Sequence, residues 1–508
     1  MGQMLTNEQD TKIAKPRTSY FFGPGYEDCL NIVNGAWAAN YGYLKVFYLE
    51  MKKYENRPWW IALVSKIGFT VAMAMLIIFG SLFTAVISII HVILMAGIAS
   101  VVYIAAVVLW GIDCAYRKYN KIYGVPCTSC HTRQELPWYE CPNCHKWHTQ
   151  LKPGKFGLWK RTCECGEKLP TNFFNGRNTL QAVCSNPYCT DRLMGHDREY
   201  QTICIPIIGG TSAGKTAFLT AFFVKFKDNF MKDNKVEYRP FDSESQRLSD
   251  DLKQNYQHGS TEKTSVSSGA ISFSFYIKHE SFELPRIIHI YDIAGEVFTT
   301  ADENVQRQKQ YEYCNGFVFV LDPLSLPKIR DKYVNSLSDI DRNSASQGEI
   351  QQVFENFIQK IRAVSGLSER DLAKAPLAVV ISKIDLADFS QQLGGLAVEK
   401  LYQRYPQTFL TPMEAEDYLC RKFLHVNGGR AFLNSIEYNF KNIRFFACSA
   451  MGHTAGTTSF TPEGVMAPME WIIGQADRRG IGNIWKEHTF HDPVKPWTEY
   501  DAAICGEE

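Results

Sequence analysis

Residues 201–224 read QTICIPIIGGTSAGKTAFLTAFFV, and this stretch decides the fold of the largest part of the chain. Residues 201–208 form an apolar run typical of a buried strand, and residues 217–224 form a second run typical of a helix. Between these runs, Gly209 to Thr216 match the pattern G-x4-G-K-T in its required strand–loop–helix setting. The glycines of such a loop allow successive backbone N–H groups to surround a phosphate, and the helix N-terminus adds its positive dipole. The sequence therefore predicts a nucleotide-phosphate site in this loop.

Two side chains of this loop have distinct predicted roles. Lys215 is expected to reach the β- and γ-phosphates and to act in catalysis, and the Thr216 hydroxyl is expected to bind Mg²⁺. The backbone around them is expected to contact the nucleotide. The nucleotide-binding residues predicted in this stretch are Gly209, Gly210, Thr211, Ser212, Ala213, Gly214, Lys215, Thr216 and Ala217.

A second motif, D-x-x-G, follows the apolar strand that begins at Arg286. The motif stands at the carboxyl end of the strand, which is where α/β sheets bind ligands. Asp292 is expected to hold Mg²⁺ through water, and the backbone N–H of Gly295 is expected to contact the γ-phosphate.

Two further strand ends indicate a guanine base. Residues 377–385, LAVVISKID, end in S-K-x-D, and the Asp385 carboxylate can accept the N1–H and 2-amino protons of guanine. Adenine offers neither group in that arrangement. A later strand, which begins at Ile443, ends in Ser-Ala, and a backbone N–H there can reach guanine O6. The base-binding residues predicted from these motifs are Ser382, Lys383 (whose stem would cover the base), Asp385, Ser449 and Ala450.

In this order, the motifs of residues 200–480 resemble those of the Ras-like (TRAFAC-class) P-loop GTPases, with residues 315–322 as a further strand of the sheet. The resemblance implies an α/β fold, with a mostly parallel sheet and helices on both faces. It also implies Mg²⁺-dependent hydrolysis of GTP to GDP. The spacing between motifs is wide, so insertions are expected near 228–268, 323–375 and 386–442, and these are candidate surfaces for a protein partner or regulator.

Two positions depart from the pattern of that family. Ser382 stands where the usual residue is Asn, and this change is expected to lose an amide bridge to the phosphate-binding loop. Glu296 stands where Ras-like enzymes carry a water-positioning Gln, so it is predicted to be catalytic and hydrolysis is expected to be slow. The Mg²⁺-binding threonine of switch I is predicted to be Thr264, with Thr261 as the alternative.

Cysteine is concentrated in one segment, because eight of the 15 cysteines lie between Cys127 and Cys189. In a large chain with a nucleotide motif, this concentration favours metal binding over disulfides. Residues 124–195 are therefore predicted to form a tandem zinc ribbon with two structural Zn²⁺ ions. The first predicted site uses Cys127, Cys130, Cys141 and Cys144, and the second uses Cys163, Cys165, Cys184 and Cys189.

The charge balance argues against a protein whose whole surface binds nucleic acid. Lys and Arg number 54 and Asp and Glu number 53, which gives a net charge of +1. A local basic cluster in the cysteine-rich segment could contact nucleic acid, anionic lipid or protein, although a solvated surface is the favoured interpretation. The cluster contains Lys152, Lys155, Lys160, Arg161 and Lys168.

Residues 67–112 contain no Asp, Glu, Lys or Arg. A run of this length is too long for one membrane helix and suits two, so a transmembrane hairpin is predicted. Polar and small residues near its middle, Ser88, His91 and Gly97, are the expected turn. Basic residues flank both ends, which predicts a multi-pass membrane protein with both termini in the cytoplasm. A buried soluble hairpin, a re-entrant segment and a single tilted span are the alternatives.

The predicted order of domains is a cytoplasmic or interfacial segment (1–66), the hairpin (67–112), the zinc ribbon (124–195), the GTPase domain (200–480) and a C-terminal tail (481–508). The predicted function is that of a membrane-anchored GTP-binding protein that hydrolyses GTP slowly as a conformational switch. This layout also resembles, more loosely, the double-GTPase proteins of bacterial conflict systems. A nucleotide-gated scaffold with little hydrolysis, a P-loop ATPase and a zinc-dependent nucleic-acid sensor remain as alternatives.

Overall fold

The computed structural model of the protein describes residues 12–507, except 121, 123, 128–129, 131–132, 135, 187, 190–191, 194–199, 260–270, 283, 294–313, 334–344, 347, 366–368, 454–458 and 485–496. The chain divides into two compact units. The first unit contains Met1–Tyr119 and Leu136–Arg192, and the second contains Asn120–Glu135 and Leu193–Glu508.

The first unit begins with two long helical segments. Helix α1 spans Pro24–Lys53. It is followed by a continuous helical run of 61 residues, Trp59–Tyr119, with a mean hydropathy of 2.7 in its most apolar part. This run consists of α2 (Trp59–Met75), a π-helical turn (Leu76–Gly80) and α3 (Ser81–Tyr119). Among the described residues it is the one helix that is long and apolar enough to cross a membrane.

The predicted two-helix membrane hairpin is therefore wrong, and with it the multi-pass topology with both termini in the cytoplasm. The expected turn residues Ser88, His91 and Gly97 all lie inside α3. The Ser88 hydroxyl donates to the backbone oxygen of Thr84 at 2.6 Å, so this polar group is satisfied within the helix. Since no proline interrupts the run, its backbone hydrogen bonds continue through the position of the expected turn.

A helical hairpin does form, but α1 is its first arm. Asn40 donates to Thr84 Oγ1 at 2.7 Å, and the ring centroids of Phe47 and Phe69 lie 6.3 Å apart. Because the later residue of α1 contacts the earlier residue of the second arm, the two arms are antiparallel. The turn between them ends at Pro58, whose ring disfavours a helical conformation in the residue before it.

Short strands dominate the cysteine-rich part of the chain. Strands β1 (Val125–Pro126) and β2 (Arg133–Gln134) pair in the second unit. In the first unit, β3 (Trp138–Glu140) pairs with β4 (Trp147–His148) and β7 (Ala182–Val183), and β5 (Lys160–Thr162) pairs with β6 (Lys168–Pro170), all antiparallel. Strand β8 covers Arg192–Leu193.

A buried ion pair fixes the end of α3 to the rest of the first unit. Arg177 Nη2 donates to Asp113 Oδ2 at 2.9 Å, and both side chains are fully buried. The other carboxylate oxygen of Asp113 accepts the backbone N–H of Phe173 at 2.9 Å. A buried pair that keeps its full set of hydrogen bonds holds its elements in one arrangement, because removing either partner leaves an uncompensated charge.

The second unit is built on a seven-stranded sheet in the order β10-β11-β12-β9-β13-β14-β15. Its central strands are parallel, whereas β10 and β11 run antiparallel at one edge. The mixed α/β fold with a parallel-rich sheet is thus confirmed. The strands are β9 (Gln201–Ile208), β10 (Glu237–Pro240), β11 (Ile271–Lys278), β12 (Arg286–Asp292), β13 (Phe317–Leu321), β14 (Pro376–Ile381) and β15 (Asn442–Ala447).

Helices cover both faces of this sheet, so its strands read as continuous apolar runs. Alternate residues of β9 enter different cores: Ile203, Ile205 and Ile207 pack on one face, and Cys204 and Ile208 on the other. The helices are α4 (Lys215–Lys225), α5 (Met231–Asp233), α6 (Ser243–His258), α7 (Pro327–Tyr333), α8 (Ile350–Ser365), α9 (Glu369–Lys374), α10 (Ser390–Leu393), α11 (Gly395–Arg404), α12 (Pro412–Val426), α13 (Arg430–Asn439), α14 (Met466–Ala476) and α15 (Trp497–Glu507).

The last helix, α15, belongs to the packed core of the second unit. Tyr500 and Ile504 are buried together with Phe409 and Tyr418. The Tyr418 hydroxyl donates to the Asp501 carboxylate at 2.6 Å. The end of the chain is therefore attached to the helical insertion that follows β14.

Candidate functional site

The phosphate-binding loop connects β9 to α4. Its backbone needs glycine at two positions. A Cβ atom on Gly209 would lie 2.2 Å from the backbone oxygen of Val320, and Gly214, directly before α4, has a φ of 88°. The contact at Gly209 is closer than any Cβ atom allows, and the backbone of Gly214 is in the left-handed region that favours glycine. These glycines let the loop turn tightly between the strand and the helix N-terminus.

The Lys215 ammonium lies across this loop. It donates to the backbone oxygens of Gly209 at 3.1 Å and Gly210 at 2.9 Å, and the side chain is buried. The positive charge is therefore held inside the curve of the loop, where the nucleotide phosphates are expected.

The two candidate Mg²⁺ ligands that the structure describes lie in direct contact. Thr216 Oγ1 donates to Asp292 Oδ2 at 2.8 Å. Parallel pairing explains this proximity, since Asp292 at the end of β12 is in register with Ile207 near the end of β9. A hydroxyl and a carboxylate are hard oxygen ligands, and the pair fits Mg²⁺ bound beside a phosphate.

The Ser382 hydroxyl connects the base-recognition segment to the phosphate-binding loop. It donates to the backbone oxygen of Ala213 at 2.8 Å and lies 2.9 Å from that of Leu321. Serine in place of the usual Asn was expected to lose the amide bridge to the phosphate-binding loop. In the structure the Ser382 hydroxyl makes this bridge instead. A hydroxyl carries one proton where an amide carries two, so a single donor is shared between two carbonyls.

Lys383 extends the same connection. Its ammonium donates to the backbone oxygen of Ser212 at 2.7 Å and to Asp322 Oδ2 at 2.8 Å. Asp322 is buried and also accepts the backbone N–H groups of Leu324 and Ser346. Sequence reasoning placed Asp322 in a strand and missed its role. A carboxylate directly after the apolar strand β13, beside β9, was the signal for it.

Asp385 and Ser449 meet at the opposite end of the site. Ser449 Oγ donates to Asp385 Oδ1 at 2.5 Å, and the backbone N–H of Gly452 donates to Ser449 Oγ at 2.9 Å. Strands β14 and β15 are parallel neighbours with Ile381 opposite Ala447, so their carboxyl ends bring the two motifs together. Ser449 thereby fixes the orientation of the carboxylate that is expected to read the base.

A second carboxylate supports the segment that leads to Ser449. Glu416 Oε1 accepts the backbone N–H of Ala447 at 3.0 Å. Burial raises the pKa of Glu416 to about 7, although the hydrogen bond from Ala447 acts in the opposite direction. The proton on this side chain therefore titrates near neutral pH, at the base of the predicted guanine-contacting segment.

Three predicted site residues lie outside the described residues. These are Gly295 and Glu296, which follow Asp292, and Thr264, together with its alternative Thr261.

Four thiols converge in the first unit. The sulfur atoms of Cys141, Cys144, Cys163 and Cys165 all lie within 4.8 Å of one another. The distances Cys141 Sγ–Cys165 Sγ (3.6 Å) and Cys144 Sγ–Cys163 Sγ (3.5 Å) are too long for disulfides. They are close to the roughly 3.8 Å expected between thiolates on a tetrahedral Zn²⁺ with Zn–S bonds of about 2.3 Å.

This group corrects the predicted pairing of cysteines. Cys141 and Cys144 were expected to share an ion with Cys127 and Cys130, but the structure places them with Cys163 and Cys165. The reason is topological, because the turn after β3 and the turn between β5 and β6 converge, whereas sequence spacing alone favours the nearest CxxC pair. The zinc role of the other four cysteines stays a prediction.

The thiols of this group have different acidities. Burial raises the pKa of the Cys141 and Cys163 thiols, whereas a hydrogen bond from the backbone of Glu167 lowers that of Cys165 to about 7. A bound Zn²⁺ would deprotonate all four, because it binds thiolates.

Comparison with known proteins bears on the second unit. Residues 203–416 match the Double-GTPase 2 family. Among solved structures, the chain is similar to the GTPase-like domain of S. cerevisiae Ski7, bound to GDP and inorganic phosphate, with 15% identity and a TM-score of 0.22. The match covers 49% of this chain and 43% of that chain, so less than half of the Ski7 structure is spanned. No curated protein matches the chain. The family match includes the phosphate-binding loop, Asp292 and Asp385, whereas Ser449 lies beyond it.

Proposed function

We propose that residues 203–416, which match the Double-GTPase 2 family, form a P-loop GTPase domain in a GTP-binding protein, and that the chain hydrolyses GTP to GDP and phosphate as a conformational switch. The observation that carries the proposal is the contact between Thr216 and Asp292 beside Lys215, which fits a Mg²⁺-bound triphosphate.

Hydrolysis would depend on position and charge rather than on covalent chemistry. Lys215 and the loop backbone would stabilise negative charge on the phosphates. Mg²⁺, when bound, neutralises charge on the β- and γ-phosphate oxygens, and Thr216 and Asp292 would hold it there. Glu296 would orient the attacking water. Because a carboxylate repels the γ-phosphate, the unaided rate is expected to be low.

Guanine would be selected by Asp385, which Ser449 holds in place at 2.5 Å. A carboxylate can accept hydrogen bonds from the N1–H and 2-amino groups of guanine, and adenine offers neither group there. Adenine would displace water from the half-buried carboxylate without replacing its hydrogen bonds, so the arrangement favours GTP over ATP. This chemistry argues against the ATPase alternative.

Phosphate release by the purified full chain, with GTP as substrate and with or without chelation of Mg²⁺, tests this function. Lys215→Ala is expected to abolish both binding and turnover. Lys225→Ala, at the other end of α4, is the matched control and should retain both. Glu296→Ala is expected to reduce turnover by about a hundredfold with little change in affinity. Equal rates for wild type and Glu296→Ala, with different protease patterns in GTP and GDP, would instead support a scaffold with little hydrolysis.

For the first unit, we propose a structural Zn²⁺ bound by Cys141, Cys144, Cys163 and Cys165. Four thiolates fill a tetrahedral site and leave no position for water, so this ion would stabilise the fold rather than act in catalysis.

We also propose that the apolar run of α2 and α3 contacts a lipid bilayer. Of these two helices, α2 has no buried residues and α3 has two, Ala106 and Asp113. An apolar surface of this extent marks an interaction site. Residues 67–112 would extend about 70 Å as a helix, more than twice the roughly 30 Å of bilayer hydrocarbon, so the run exceeds what one perpendicular crossing needs. Sedimentation of the full chain with membranes after carbonate washing would support insertion of this run into the bilayer, and failure of the chain to sediment with membranes before the wash would contradict the contact.

A further inference from the structure

A groove of about 410 Å³ lies between the last turn of α1 and the first turns of α2. Its walls are formed mainly by aromatic and aliphatic side chains. On α2, residues four positions apart lie on one helix face and line it successively. Its lining includes Phe47, Tyr54, Trp60, Val64, Gly68 and Phe69.

Gly68 keeps the groove open. A Cβ atom at this position would meet no other atom within 4 Å, so the space beside it is free for a ligand. The Phe69 ring lies beyond it, with centroids 6.3 Å from Phe47 and 6.2 Å from Tyr54. The rings of Phe47, Tyr54 and Phe69 thus form one side of the groove. The exposed side chain of Trp60 also lines it.

Basic residues are frequent in the sequence around the turn that joins α1 to α2. Lys52 and Arg57 lie close in sequence to Tyr54, the Lys52 ammonium lies 5.3 Å from the centroid of the Tyr48 ring, and Lys53 is paired with Glu50 at 2.5 Å. Residues 50–66 contain four basic and two acidic side chains, counting Glu55, so this region is positively charged. A ligand with an anionic end and an apolar body would match both features.

From these observations we propose that the groove binds one acyl chain of an anionic phospholipid, with its phosphate beside Lys52 and Arg57. The proposal rests on bilayer contact by α2 and α3, with whose exposed apolar surface the groove is continuous. A peptide suits the groove poorly, because most of its backbone N–H and C=O groups would find no partner on walls whose polar side-chain groups are those of Tyr54, Trp60 and Ser65. An acyl chain has no polar groups to satisfy.

The test uses the full chain in phosphatidylcholine vesicles that contain a trace of phosphatidylglycerol with a photoreactive diazirine in one acyl chain. Crosslinks are mapped by mass spectrometry of peptides. Gly68→Leu fills the groove and should lower labelling of residues 47–72 by about tenfold, the effect of excluding roughly two methylene groups. Gly97→Leu is the matched control, since Gly97 is also an exposed glycine of the same helical run with nothing within 4 Å of its Cβ position. Both changes raise helix propensity, so neither should unfold the helix.

Equal labelling of 47–72 in Gly68→Leu and Gly97→Leu would overturn the groove proposal while leaving bilayer contact intact. Absence of labelling anywhere in residues 59–119 would instead contradict bilayer contact itself. A phosphatidylcholine probe with the same diazirine chain should label residues 47–72 less than the phosphatidylglycerol probe. Lys52→Gln with Arg57→Gln should remove that difference, and equal labelling by the two probes in the wild type would overturn the anionic preference.

Discussion

Removing the Ser382 hydroxyl tests whether the bridge to the phosphate-binding loop positions the nucleotide site. In Ser382→Ala, the backbone oxygen of Ala213 loses its 2.8 Å partner. The oxygen of Leu321 keeps the backbone N–H of residue 382 at 2.8 Å, so one carbonyl rather than two loses its bond. Losing one buried hydrogen bond of this kind costs about 1–2 kcal/mol.

This cost should appear both in folding and in binding. The free energy of unfolding should fall by about 1–2 kcal/mol. Because the bridge ties the base-recognition segment to the loop that surrounds the phosphates, GTP affinity should also fall, by up to about tenfold. Titration with a fluorescent GTP analogue and urea denaturation of the same preparations measure the two effects.

Ser325→Ala is the matched control for this experiment. The Ser325 hydroxyl is also buried and donates to a backbone oxygen, that of Asp322, at 2.6 Å, but it does not contact the phosphate-binding loop. It should lose no more stability than Ser382→Ala, because the oxygen of Asp322 keeps the backbone N–H of residue 325 at 2.9 Å, and it should retain GTP affinity. If Ser382→Ala binds GTP as tightly as Ser325→Ala, the bridge stabilises the fold without positioning the site, and the reasoning is refuted.

Three further predictions concern the base, the metal and pH. Asp385→Asn should weaken GTP binding by a few kcal/mol and improve xanthosine triphosphate binding, and unchanged nucleotide preference in a competition assay would count against the predicted base contact. Cys163→Ser should lose one Zn²⁺ in native mass spectrometry, whereas Cys29→Ser, far from the thiol group in sequence, should lose none; equal zinc content in both would contradict the proposed metal site. Since burial raises the pKa of Glu416 from 4.5 to about 7, its protonated form contributes stability that is complete below about pH 4.5 and lost as pH rises through 7. Glu416→Gln should make the free energy of unfolding less dependent on pH, and its change across that range should be up to about 3 kcal/mol smaller than in wild type. Glu399→Gln, at an exposed position, should leave the pH dependence of the wild type unchanged.

The nucleotide-binding fold could be predicted because its signals are local. The G-x4-G-K-T motif is contained in residues 209–216, Asp292 ends an apolar strand, and the S-K-x-D motif that contains Asp385 follows one directly. Parallel pairing then brings these strand ends together, as with Ile381 opposite Ala447. Because each motif stands at the carboxyl end of an apolar strand, the sequence predicts where in the sheet its residues lie.

The features that sequence reasoning missed depend on contacts between distant segments. Four closely spaced pairs of cysteines can combine into two four-thiol sites in three ways, and the combination of Cys141 with Cys163 and Cys165 is made by the turn between β5 and β6. The role of Asp322 requires Lys383, which lies 61 positions later. The absence of charge in residues 67–112 shows how long the apolar run is, but it does not show where the chain turns. Ser88 and Gly97 therefore could not be distinguished from ordinary helix residues.

Competition between GTP and ATP for the purified full chain in Mg²⁺ tests the central claim most directly, namely that Asp385 and the phosphate-binding loop form one guanine-specific site. The prediction is that unlabelled GTP displaces a labelled GTP analogue at a concentration at least about a hundredfold lower than ATP requires, because adenine offers the carboxylate neither of the two donors that guanine does. Displacement by ATP and GTP at equal concentrations would contradict the account.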